Sequence, residues 1–112
     1  MELLEIVVHA ICEKKAQNVC VYDVSSLTPF MDHMIVASTT NIRQNNAISQ
    51  NIKDRLKENG YTNEFHVEGT SSSKWLLIDL KDVVIHLFVN EERQVYQLDR
   101  LYSDVPVKVY DL

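Results

Sequence analysis

Apolar and polar residues alternate with several periods along the chain, and each change of period marks an element. Leu4, Val7, Val8 and Ile11 recur at three- and four-residue spacing. That predicts an amphipathic helix over residues 2–17, with Lys14 and Lys15 at the negative end of its dipole. Val19 to Val24 is β-branched and aromatic, which predicts a strand. Ser25 to Met31, polar and interrupted by Pro29, reads as a loop. His33 to Ser38 is mostly apolar and reads as a buried second strand. Asn41 followed by Gln44 resembles a capping box that opens a helix running to about Asn59. Ile48, Ile52 and Leu56 step by four along one face, and Lys53, Asp54, Lys57 and Glu58 lie off it. Gly60 follows where a left-handed C-terminal cap belongs.

Beyond Gly60 the period shortens. Glu64 to Glu68 predicts a short third strand closed by Gly69, and Thr70 to Ser73 a polar loop. Two apolar runs, Trp75 to Leu80 and Val83 to Val89, flank Lys81-Asp82 and predict a β-hairpin. Lys81 stands where tight turns favour Gly or Asn at positive φ. Asn90 is expected to cap a short helix over Glu91 to Tyr96, followed by a short turn at Leu98 to Tyr102. Val105-Pro106 is expected to end the regular structure. The order αββαβββα predicts an α/β fold of the α+β sandwich type, with a mixed five-stranded sheet and helices. A length of 112 residues suits one domain over 1–112.

Strand parity within the hairpin is the most informative pattern. With Lys81-Asp82 as the loop, one face pairs Leu80 with Val83, Ile78 with Ile85 and Leu76 with Leu87, all aliphatic and therefore core. The other face pairs Asp79 with Val84, Leu77 with His86 and Trp75 with Phe88. A core seldom takes Asp and His unless they are paired, and open solvent seldom meets Trp beside Phe. This face is either an interaction surface or the floor of a second layer that satisfies Asp79 and His86 internally.

Composition narrows the function. The chain has two glycines, Gly60 and Gly69, where an average share would give roughly eight. Dinucleotide fingerprints and phosphate-cradling loops, which need glycines close together, are excluded. The net charge is −5 and lopsided: residues 1–60 carry seven acids and six bases, residues 61–112 nine acids and five bases. An acidic second half disfavours direct contact with phosphate backbones and suits a basic protein partner. No apolar stretch is long enough to span a membrane, and the start, Met1-Glu2-Leu3-Leu4-Glu5, is acidic where a signal peptide is basic. Cys12 and Cys20 read as reduced thiols and small apolar side chains.

Catalytic patterns are missing. His9, His33, His66 and His86 form no helical metal pair and no His-Glu-x-x-His motif. No nucleophile stands near an evident base, and Asp79 is the lone carboxylate of its strand. The expectation is therefore no catalytic residue, no cofactor and no metal.

Several runs together resemble the ribosomal silencing factor family, also called Iojap-like proteins. They are Asp32-His33-Met34-Ile35-Val36-Ala37-Ser38, Val67-Glu68-Gly69, Lys74-Trp75-Leu76-Leu77-Ile78-Asp79-Leu80, Asp82-Val83-Val84-Ile85-His86-Leu87-Phe88, Arg93, and Tyr96-Gln97-Leu98-Asp99-Arg100-Leu101. The resemblance extends over about residues 4–104. It implies a nucleotidyltransferase-like fold without that superfamily's catalytic elements. It further implies a translational repressor of the bacterial cytoplasm. Such a protein binds the large ribosomal subunit through its ribosomal protein fourteen and blocks joining of the small subunit under starvation or in stationary phase. The resemblance also implies a homodimer when free, little nucleic-acid contact and no membrane. Combined with strand parity, it makes Trp75, Leu77, Asp79, His86 and Phe88 the expected partner-facing residues. Trp75 is the anchor, and Glu68, Asp79 and Asp82 face basic side chains. The chain departs from the family in carrying Lys81 where Gly is usual and Tyr102 where Trp is frequent. Competing readings are a relative that keeps residual nucleotide binding and a ribosome-associated RNA-binding module.

Overall fold

A computed structural model describes residues 2–61 and 65–110. Helix α1 (Leu3–Glu13) leads into strands β1 (Gln17–Asp23) and β2 (His33–Thr39), then helix α2 (Ile42–Glu58). Strands β3 (His66–Glu68), β4 (Trp75–Asp79) and β5 (Val83–Val89) follow. The short helices α3 (Asn90–Tyr96) and α4 (Leu98–Leu101) precede strand β6 (Val107–Tyr110). The strands form one mixed sheet in the order β3-β4-β5-β2-β1-β6. Neighbours β2 and β5 are parallel, and the other pairs antiparallel. The fold is the expected α+β arrangement with six strands instead of five.

The sixth strand comes from the segment expected to lie beyond regular structure. Val107 and Val109 alternate with Lys108 and Tyr110, and the strand finds the open edge of β1 through the pairs Tyr22–Val107 and Cys20–Val109. Before it, Asp23 N–H donates to Pro106 C=O at 2.9 Å. Pro106, beyond the turns that follow α4, thus leads into the ladder rather than ending regular structure.

The helix ends follow local chemistry. Asn41 Oδ1 accepts from Gln44 N–H at 2.9 Å, as the capping pattern predicts. The reciprocal Gln44 Oε1 accepts from Thr40 N–H at 2.8 Å, one residue earlier than a standard box. Gly60 takes φ +78° at the C-terminal end of α2. Helix α1 stops at Glu13, four residues before the expected end. The cause is Lys15, which turns to φ +63° and feeds the chain into β1. Asn90 is the first residue of α3 rather than its cap; Val89 holds that place with no side-chain bond. The expected start of the third strand, Glu64, lies outside the described residues.

Helices α1 and α2 cover one face of the sheet. Ile6, Val7, Ile11, Ile48, Ile52, Ile35, Ile78, Ile85 and Leu87 pack there into the main core. Asn45, on α2, is also buried. Its Oδ1 accepts from Thr39 Oγ at 2.6 Å, and its Nδ2 donates to the carbonyls of Lys74 and Leu87. A polar group sealed in this way ties α2 to the ends of β2, β4 and β5. The opposite face is only partly covered. Leu98, Tyr102 and Val105 pack over Tyr22, Val24, Met34, Val36 and Phe88, on the β1–β2–β5 portion. The β3–β4 portion is left open.

Candidate functional site

The hairpin register places the residues expected to face a partner. Trp75 pairs with Phe88, Leu77 with His86 and Asp79 with Val84, as parity predicts. Glu68 pairs with Leu77, which brings it to the same face. Burial divides this face. Phe88 is fully buried under the second layer, whereas Trp75 and Leu77 are half-buried and Glu68 and Asp79 exposed.

Trp75 is the centre of the open portion. Its ring lies 5.0 Å from Phe88 and 4.3 Å from Tyr96, the last residue of α3. The indole Nε1–H donates to His86 Nδ1 at 3.0 Å. An indole nitrogen can only donate, so Nδ1 carries the lone pair and the proton of the neutral imidazole sits on Nε2. Burial lowers the pKa of His86 to about 4, so the ring is neutral near pH 7. Trp75 is thus fixed by a stacked ring, a tilted ring and a hydrogen bond while the residue stays half-buried. Such a pre-ordered aromatic loses little rotamer freedom on binding. Phe88, fully buried, backs Trp75 from beneath rather than facing a partner itself.

The acidic residues fall into distinct settings. Glu68 lies at the open edge beside Leu77. Asp79 Oδ1 accepts from Lys81 N–H at 2.8 Å, so this carboxylate also shapes the hairpin turn. Lys81 itself sits at φ +76°, bracketed by a bond from Asp82 N–H to Leu80 C=O. A lysine there accepts a conformation that glycine adopts freely. Asp82 lies in the turn, apart from the Trp75 cluster; its side chain is exposed, and its carbonyl accepts from Asp32 and His33 N–H at 2.8 and 3.1 Å. The loop arriving at Asp32 carries Leu27 and Phe30, the latter 81% exposed. The sequence reading of that segment as a polar loop passed over them.

Arg93 and Tyr102 turn inward. The Arg93 guanidinium donates to both carboxylate oxygens of Asp99, to Ser38 Oγ, to the Asn18 carbonyl and to Cys20 Sγ. Tyr22 OH donates to Asp99 at 2.7 Å, and the Tyr22 and Tyr102 rings are 5.9 Å apart. This network clamps α3 and α4 onto β1 and β2, which holds Tyr96 against Trp75. Cys20, expected as an apolar side chain, is a hydrogen-bond acceptor here. Among the described residues no group of three or more His, Cys, Asp or Glu could hold a metal ion, and no helix is long and apolar enough to cross a membrane.

Fold and site together define an α+β protein with a half-covered sheet face, a partly exposed tryptophan and an acidic edge. The comparisons give the family. The model described as ribosomal silencing factor during starvation matches residues 1–112. The ribosomal silencing factor RsfS of Bacillus subtilis is 32% identical over 109 residues, covering 97% of this chain and 92% of that protein. A crystal structure from Chromobacterium violaceum superposes with a TM-score of 0.82 at 32% identity, over 92% of this chain and 88% of that one. One from Bacillus halodurans gives 0.78 at 31% identity, over 98% and 97%. The chain belongs to the ribosomal silencing factor (RsfS) family, whose role is ribosome-associated silencing of translation.

Proposed function

We propose that this protein represses translation without catalysing a reaction. In this reading it docks on the large ribosomal subunit through ribosomal protein fourteen and occupies the place where the small subunit joins. The Trp75 face makes the contact, in the bacterial cytoplasm under starvation or in stationary phase, and the free chain is a homodimer that opens or rearranges to dock.

The observation that carries this reading is Trp75 itself. A tryptophan anchored on Phe88, Tyr96 and His86 yet left partly in water is the geometry of an interface hot spot. Leu77 continues the apolar patch, and Glu68 and Asp79 set negative charge at its edge, with Asp82 at the neighbouring turn, to meet basic side chains. Lys81 and Lys74 are the nearest cations in sequence, so the rim stays net acidic.

Sucrose-gradient sedimentation with separated subunits tests it. The wild type is expected to travel with large subunits and to prevent their joining to small ones. A folded Trp75→Ala variant is expected to lose both properties. Undiminished binding by that variant would remove Trp75 as the anchor.

A further inference from the structure

His86 is 5% exposed, yet one of its ring nitrogens has no acceptor among the described residues. The Trp75 bond occupies Nδ1 and leaves the proton on Nε2. No described side-chain nitrogen or oxygen that is sealed from solvent lacks a partner. The Nε2–H of His86 is therefore both unpaired among the described residues and in reach of solvent, on the sheet face it shares with Trp75 and Leu77. A donor at the floor of an otherwise apolar patch binds water in the free protein. Covering the patch costs that hydrogen bond unless the partner replaces it.

The setting selects the acceptor. The surrounding surface holds Leu77 opposite His86, Trp75 diagonal to it, and the carboxylates of Glu68 and Asp79 at the edge. An incoming carboxylate would be repelled by these, and a cationic group cannot accept a hydrogen bond. A neutral carbonyl, from backbone or a side-chain amide, satisfies the donor without adding charge. Basic residues flanking that carbonyl would meet Glu68 and Asp79.

We propose that the Nε2–H of His86 is a specificity-determining donor that takes a neutral carbonyl oxygen of the docked protein partner, on a segment flanked by basic side chains. Trp75 supplies contact area, and it also fixes the tautomer that makes His86 a donor. The inference rests on the Trp75 face being the one that docks, and its test separates the two.

Binding to purified large subunits is compared for wild type, Trp75→Ala, His86→Gln and His86→Phe. Gln can accept from Trp75 with Oε1 and donate with Nε2, so it is expected to stay within a few-fold of wild type. Phe keeps the ring and removes the donor, and is expected to weaken binding about tenfold or more. Nitrogen-15 spectra of the histidine ring, recorded with isolated ribosomal protein fourteen, give a readout that packing alone would not move. The Nε2–H resonance should appear in the free protein, shift downfield on binding and exchange more slowly with water. Wild-type affinity for folded His86→Phe, or an Nε2–H signal unchanged in the complex, overturns the inference while loss of binding by Trp75→Ala leaves the docking face standing. Full binding by Trp75→Ala removes both.

Discussion

Arg93 grips Asp99 through two parallel bonds, Nε to Oδ2 at 3.0 Å and Nη2 to Oδ1 at 2.8 Å. The same guanidinium reaches Ser38 and the Asn18 carbonyl on the sheet, so a single side chain locks the short helices α3 and α4 to β1 and β2. Neither helix buries a residue fully, so packing alone holds them weakly. Fork geometry explains the choice of arginine, since a lysine could not serve two oxygens and two sheet acceptors at once.

Arg93→Met is therefore expected to cost about 3 kcal/mol by leaving Asp99 and its partners unpaired in a partly buried site. Arg93→Lys should recover only part of this. Urea unfolding checks it, as a lower midpoint at unchanged slope. Because Tyr96 rides on α3, Trp75 fluorescence should also change.

Acid should weaken the fold in a defined window. Burial holds the folded pKa of His86 at about 4 against 6.5 for the free group. The unfolded chain takes up this proton as pH falls through about 6.5, and the folded chain does so only near 4. Stability from this group is complete above 6.5 and falls by about 1.4 kcal/mol per pH unit across the window, about 3 kcal/mol in all. Asp99 acts in the same direction at lower pH. Burial raises its pKa, but the bonds from Arg93 and Tyr22 outweigh that and hold the carboxyl below its ordinary value. Its contribution is lost as pH falls through that lowered value. Denaturation at pH 7, 6, 5 and 4.5 should show the slope in wild type and a flatter line in His86→Phe.

The two glycines should respond differently to alanine. A Cβ at Gly69 would stand 2.8 Å from Leu76 Cδ2 and 3.1 Å from the Trp75 carbonyl, at φ +115°. At Gly60, φ +78°, it would meet nothing within 4 Å. Gly60→Ala should cost about 1 kcal/mol from backbone strain alone. Gly69→Ala should cost about 2 kcal/mol or more, since it also presses on the strand that carries Trp75. Thermal melts of both variants decide, and only Gly69→Ala should reduce large-subunit binding.

At the hairpin turn, Lys81→Gly should stabilise the protein by about 0.5–1 kcal/mol by relieving the positive φ. Asp79→Asn keeps an oxygen for the Lys81 N–H and removes the charge. It should leave the melting temperature nearly unchanged while lowering large-subunit affinity a few-fold at low salt and less at high salt. A larger effect at high salt would contradict an electrostatic role.

Much of this surface was legible in the one-dimensional pattern. A two-residue loop forces alternate residues of the hairpin onto opposite faces, so Trp75, Leu77, Asp79, His86 and Phe88 had to share one. The cap at Asn41 and the left-handed Gly60 were legible for the same reason, being set by neighbours a few residues away. What escaped the pattern involves residues far apart in the chain. Arg93 finds Asn18 and Ser38 across separations of 75 and 55 residues, and Asn45 finds Leu87 across 42. The last strand forms because β1 offers an unpaired edge, which the segment Val107–Tyr110 cannot reveal by itself.

The sequence by itself therefore determined most of the elements, the family and the composition of the face around Trp75, because period and local capping are short-range physics. Only the tertiary structure decided how that face is divided. Burial is a property of what packs on a strand, not of the strand. Residues 98–105 fold back over β1, β2 and β5, which seals Phe88 and leaves Trp75 and Leu77 at the open edge. It also decided that Trp75 donates its N–H to His86 Nδ1, which leaves the imidazole proton on Nε2.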